Sequence, residues 1–130
     1  MEEKRAFQTE RAADFGGPYS QAVIHNGLIY LSGQGPVDPE TNKVILGTIE
    51  EETRLALENI RIILDEAGSS LTNVLKVNVY LLQMKEYGRF NEIYKKYFQT
   101  DLPARSCIQA GKLPFGIRVE IDVIAYISVK

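Results

Sequence analysis

The sequence predicts an α+β fold: a single-layer, mostly antiparallel six-stranded sheet with two helices on one face. Three observations carry this expectation. Two segments repeat apolar residues at helical spacing. Runs rich in β-branched and aromatic residues stand before, between and after them. In the longer runs one side is apolar and the other mixes charge, aromatic and aliphatic groups, the signature of a sheet covered on one face only. A chain of 130 residues, 45% hydrophobic, is enough to close one core, so one domain over residues 1–130 is expected.

Taken in order, residues 4–8 read as a short strand, followed by a loop in which Gly16 and Gly17 precede Pro18. Two β-rich runs, 22–25 and 28–32, are separated only by Asn26 and Gly27, the pair that tolerates the positive φ angles of a type I′ hairpin. A second loop, 33–39, leads to the clearest helix. Its Thr48 caps, Glu51 reaches back in a capping box, and Gly68 ends it. Ala56, Leu57, Ile60, Ile63, Leu64 and Ala67 form its buried stripe; Glu51, Arg54, Glu58 and Arg61 take the opposite face.

Residues 74–82 return to strand, with Val77, Val79 and Leu81 on one side and Lys76, Asn78 and Tyr80 on the other. A second helix is expected over 84–99, its core face built from Phe90, Ile93, Tyr94, Tyr97 and Phe98. Two strands follow. Arg105, Cys107 and Gln109 share a face of the first; in the second, Val119, Ile121, Val123, Ala125 and Ile127 oppose Arg118, Glu120, Asp122 and Tyr126. That polar, aromatic second face would stay partly open in a monomer, and oligomerisation is the simplest way to cover it.

Composition narrows the chemistry. Fifteen basic and 17 acidic side chains leave a formal charge of −2, so neither a field for gathering nucleic acid nor a polybasic membrane patch is expected. A single cysteine, Cys107, makes no internal disulfide and fits a reducing compartment; with no leader-like apolar segment at the N-terminus, a cytoplasmic location is expected. The one histidine, His25, sits at a hairpin end and reads as a solvated turn residue. HExxH, CxxC, GxxxxGK[ST] and GxGxxG are all absent, and Gly33-Gln34-Gly35 reads as a plain turn, so no metal or cofactor is expected. What remains are Arg105 for a carboxylate, Glu120 for a proton or a water, and Cys107 close to the arginine. From spacing alone, an arginine and a glutamate on neighbouring strands more often form a structural ion pair, and a cysteine is more often a small buried hydrophobe.

The run Pro103-Ala104-Arg105-Ser106-Cys107-Ile108-Gln109-Ala110-Gly111-Lys112-Leu113, followed after five residues by Val119-Glu120-Ile121, resembles the C-terminal signature of the Rid/YjgF family. Gly17-Pro18-Tyr19-Ser20-Gln21-Ala22, Leu31-Ser32-Gly33-Gln34 with Pro36-Val37-Asp38-Pro39, and Phe90-Asn91-Glu92-Ile93-Tyr94 resemble further family segments in the right order. The resemblance spans essentially the whole chain. It implies a chorismate-mutase-like fold, a homotrimer with clefts between subunits, and hydrolysis of enamine and imine acids such as 2-aminoacrylate, 2-iminopropanoate and 2-iminobutanoate to 2-keto acids and ammonia. Arg105 would hold the carboxylate, Glu120 would position the water, and Cys107 would contribute mainly its backbone. Tyr19 would wall the cleft, Ser32 and Gly33 would line it, and Asn91 would offer an amide. Two positions depart from the family pattern: Gly35, usually a larger aliphatic residue, which implies a looser pocket wall, and Lys112. The alternative implied by the same family is a metabolite-binding regulatory trimer without turnover.

Overall fold

Strands and helices alternate along the chain in the computed structural model, which describes residues 2–14 and 16–128. They are β1 (Arg5–Phe7), β2 (Ala22–His25), β3 (Leu28–Leu31), α1 (Ile49–Glu66), β4 (Val74–Leu81), α2 (Tyr87–Tyr97), β5 (Ala104–Gln109) and β6 (Val119–Tyr126). The strands make one six-stranded sheet in the order β1-β2-β3-β6-β4-β5. Every neighbouring pair is antiparallel except β4 and β5, which are parallel and joined through α2.

Local chemistry explains the boundaries. Asn26 and Gly27 both have positive φ, 50° and 78°, as the two-residue turn between β2 and β3 requires. At the start of α1, the Glu51 amide donates to Thr48 Oγ1 at 3.1 Å and the Thr48 amide donates to Glu51 Oε1 at 2.8 Å, closing the capping box. The stripe Ala56, Leu57, Ile60, Ile63 and Leu64 is buried against Val77, Val79 and Leu81 of β4 and Val119, Ile121 and Val123 of β6. Each such aliphatic side chain contributes about 1.5–3 kcal/mol by leaving water.

Two expectations are corrected. The helix expected over 84–99 is a 3-10 turn, Met84–Glu86, followed by α2, because the first turn takes its cap from outside: Gln109 Oε1 accepts from the Met84 amide at 2.7 Å. The backbone leaves the helix at Phe98, yet the Phe98 ring still packs on Tyr94 at 4.7 Å between centroids, which is why the helical spacing of apolar residues runs on. The second correction concerns neighbours. β5 and β6 do not pair; β4 lies between them.

The apolar pattern also conceals buried polar groups. Glu52, only 1% exposed, accepts from the Arg118 amide at 2.7 Å and the Gly47 amide at 3.0 Å, and Arg118 reaches on to Glu86 at 2.9 Å. This network ties α1 and the 3-10 turn to the start of β6. Glu52→Ala would leave two partly buried amides and the Arg118 guanidinium without this acceptor and is expected to lower stability by about 2 kcal/mol. Chemical denaturation measures it; a loss below ~1 kcal/mol would mean that water replaces the carboxylate without penalty.

Candidate active site

The loop after β3 returns to the sheet. Gln34 donates to the Ile121 carbonyl at 2.7 Å and accepts from the Ile121 amide at 2.9 Å, so the two residues before it lie beside β6. Ser32 is held by its hydroxyl, which donates to the Ser20 carbonyl at 2.7 Å. Gly33 meets the Glu120 side chain so closely that a Cβ on Gly33 would overlap Glu120 Oε2. Glycine leaves the carboxylate that space; a Cβ would push it aside. Tyr19, Ser32, Gly33 and Glu120 thus converge on one cleft of about 570 Å³, whose remaining wall is Gly17, Pro114 and Phe115.

Burial raises the Glu120 carboxyl above its ordinary value of 4.5, and the like charge of Asp122 adds to the effect. Tyr19 is raised by burial first, then by Asp14 and Glu120. A half-buried carboxylate that holds its proton more tightly than usual, in a mostly apolar cleft, is a stronger base than an exposed one and is placed to take a proton from water.

Arg105 lies elsewhere. It pairs with Val77 across β4 and therefore faces the helices, whereas Glu120 pairs with Tyr80 and faces the open side of the sheet. In one chain the two are two strand spacings across and three residues along the sheet from each other, roughly 14 Å between Cα atoms, and on opposite faces. The expected adjacency of Arg105 and Glu120 is thus corrected, and so is the ion pair: among the described residues Arg105 has no carboxylate partner. Its Nη1 donates to Asn91 Oδ1 at 2.9 Å and its Nη2 to the Tyr87 hydroxyl at 2.8 Å, with Cζ 4.7 Å from the centre of the Tyr94 ring. Neutral acceptors and an aromatic face orient the guanidinium without neutralising it. Cys107 shares the Arg105 face, half-buried against the core; burial raises its thiol and the arginine charge opposes that rise.

The residues named from sequence therefore form two clusters: Tyr19, Ser32, Gly33 and Glu120 in the cleft, and Arg105, Cys107 and Asn91 at the β5 edge. Sequence reasoning missed Tyr87, which touches the arginine, and Phe115 in the cleft wall. A tyrosine one helical turn before Asn91, on the same face, was the available signal for the first; Pro114 and Gly116 around an aromatic residue marked the turn for the second. Gly35 does not line the cleft. A Cβ there would meet Ile117 Cδ1 at 3.0 Å, so Ile117 fills the space where a looser wall was expected. Among the described residues no group of histidine, cysteine and carboxylate side chains is placed to hold a metal ion, and no helix is long and apolar enough to cross a membrane.

With this geometry in hand, similarity to known proteins is extensive. The family model for endoribonuclease L-PSP matches residues 9–127. A RutC family protein of Pyrococcus abyssi is 42% identical over 123 residues, covering 95% of this chain and 97% of that one. The 2-iminobutanoate/2-iminopropanoate deaminase of Mus musculus is 45% identical over 122 residues, covering 94% and 90%. The crystal structure of E. coli TdcF with bound serine superimposes with a TM-score of 0.89 at 35% identity, covering 95% and 99%.

The raised Glu120 carboxyl gives a stability test. The native state holds this proton more tightly than the unfolded chain, so its contribution is fully present below about pH 4.5 and is lost as pH rises through the raised value. Glu120→Gln, which cannot ionise, is expected to gain on the wild type between about pH 4 and pH 7 in urea midpoints. An identical difference at both pH values contradicts the raised carboxyl.

Proposed function

The chain belongs to the Rid/YjgF family, and from that membership we propose that it is a deaminase of 2-imino acids, 2-iminopropanoate and 2-iminobutanoate among them. The observation that carries this reading is the Arg105 guanidinium, fixed in place by Asn91, Tyr87 and Tyr94 while its charge is left for an anion to match. Two of its five N–H groups are engaged by these neighbours, leaving a fork suited to a carboxylate.

The second half of the reaction centre is the Glu120 cleft. Glu120 takes a proton from water as the water oxygen bonds to the imine carbon and passes it to the nitrogen, giving a carbinolamine; the remaining hydroxyl proton then moves by way of Glu120 to the amino group as the carbon–nitrogen bond breaks, releasing ammonia and the 2-keto acid. Ser32, Gly33 and Tyr19 shape the space around the tetrahedral carbon, and the Cys107 backbone borders the reacting nitrogen or water. Neither metal nor cofactor takes part. An enamine such as 2-aminoacrylate enters after it tautomerises to the imine.

Because one chain holds Arg105 and Glu120 on opposite sheet faces, the working unit is a homotrimer in which the β5 edge of one subunit meets the Glu120 cleft of the next. The open face, with Tyr30, Tyr80, Ile108, Ile124 and Tyr126 beside Lys76 and Asp122, is the surface such an assembly covers. The nuclease activity in the family description is not adopted: a formal charge of −2 offers little attraction for RNA. The half-buried free thiol suits the reducing cytoplasm, the location we assign.

Deamination of freshly generated 2-aminoacrylate, followed as keto acid, should exceed the spontaneous rate, and Arg105→Ala should lose about 10²-fold or more in kcat/KM, with Arg105→Lys restoring little. Wild-type turnover equal to the spontaneous rate, with keto-acid binding retained, would point instead to the metabolite-binding regulator. The acidic limb of kcat/KM should lie above 4.5, and Glu120→Gln should abolish turnover. Mixed trimers refolded from equal amounts of inactive Arg105→Ala and Glu120→Gln chains should regain about a quarter of the sites, since each needs one intact residue from either side. No regain would place both residues in one subunit's site and overturn the shared cleft.

A further inference from the structure

Beyond Ser32, Gly33 and Glu120 the wall of the cleft is apolar and aromatic: Tyr19, 51% exposed, and Phe115, 64% exposed, line it with Pro114. Phe115 has φ 60° and ψ 16°, in the left-handed region that a bulky side chain adopts only at a cost and that recurs where a ligand must be gripped. It stands between the Glu120 cleft and a second hollow of about 600 Å³ bordered by Leu82, Lys112 and Leu113.

The carboxylate and imine of a substrate are matched by Arg105 and Glu120, but Tyr19, Pro114 and Phe115 face its side chain with ring carbon and pyrrolidine. Such a wall favours an apolar side chain in offset contact with the rings and offers little compensation for desolvating a charged one.

We propose that Phe115 and Tyr19 form a side-chain subsite, and that this chain prefers 2-imino acids with large branched or aromatic side chains over the three-carbon acid. The subsite rests on the deaminase reading and makes Phe115 a specificity-determining residue.

The experiment generates imines in place from alanine, leucine, phenylalanine and glutamate with an L-amino-acid oxidase and follows their loss against semicarbazide trapping. For the wild type, kcat/KM for the phenylalanine-derived imine should exceed that for the alanine-derived one by roughly tenfold, with the glutamate-derived imine poorest. Phe115→Ala should shrink the phenylalanine-to-alanine ratio by about tenfold, and Phe115→Leu should retain the leucine-derived substrate better than the aromatic one. A wild type that favours the alanine-derived imine, or a ratio moved by less than about twofold in Phe115→Ala, overturns the subsite.

Calorimetric titration with pyruvate and phenylpyruvate, the stable products, separates this result from the fate of the deaminase reading. Tighter phenylpyruvate binding that Phe115→Ala abolishes supports the subsite even if no imine is hydrolysed. Equal affinities refute it even if deamination proceeds. Light scattering on Phe115→Ala completes the test: a changed oligomeric state with the ratio intact assigns the ring to a subunit contact and overturns the proposal.

Discussion

The position of β6 is the constraint on which the rest of the molecule depends. The last strand does not sit at an edge; it enters between β3 and β4 and pairs antiparallel with both. Val119, Ile121, Val123 and Ala125 fill the centre of the core under α1, while Glu120 and Asp122 come out on the uncovered face. One alternating octapeptide thus supplies the middle of the hydrophobic cluster and the principal carboxylate of the cleft. The Glu52–Arg118–Glu86 network guards its first residue, so the register that aims Glu120 is anchored from the helical layer.

The same placement separates the two charges that matter. β4 stands between β6 and β5, and the register turns Arg105 toward the helices and Glu120 away from them. A guanidinium and a carboxylate that met inside one chain would neutralise each other and bind nothing. Held apart, each keeps its own environment: aromatic rings and neutral acceptors around the arginine, and partial burial with a raised carboxyl for the glutamate. The proposed trimer is the arrangement that lets a substrate, rather than the protein, bring them into register.

What the sequence made legible was local. Alternation assigned the faces of β4, β5 and β6 correctly, the Thr48 and Glu51 pair marked the start of α1, and Asn26-Gly27 marked the hairpin, because each depends on residues within a few positions. Strand order depends on pairing between distant segments, which periodicity does not encode, and so Arg105 and Glu120 looked like neighbours when β4 divides them. Buried charge in the helical layer was not legible either. Nothing local marks Glu52 and Glu86 as buried, and only the arrival of Arg118 from the far end of the chain makes their burial tolerable. Gly33 read as a turn residue; that it makes room for the Glu120 carboxylate is visible only once β6 is beside it.

A strand that is last in sequence and central in space also shapes how the molecule is born. Until Val119–Tyr126 has been synthesised, β3 and β4 each present a bare edge, and the apolar faces of the flanking segments have no middle to close over. Vectorial translation from the N-terminus therefore produces a nascent chain that stays open to strand-to-strand association with its neighbours until β6 emerges. Cooperative closure waits for β6, so a nonsense change anywhere before Val119 removes the whole fold rather than trimming one edge.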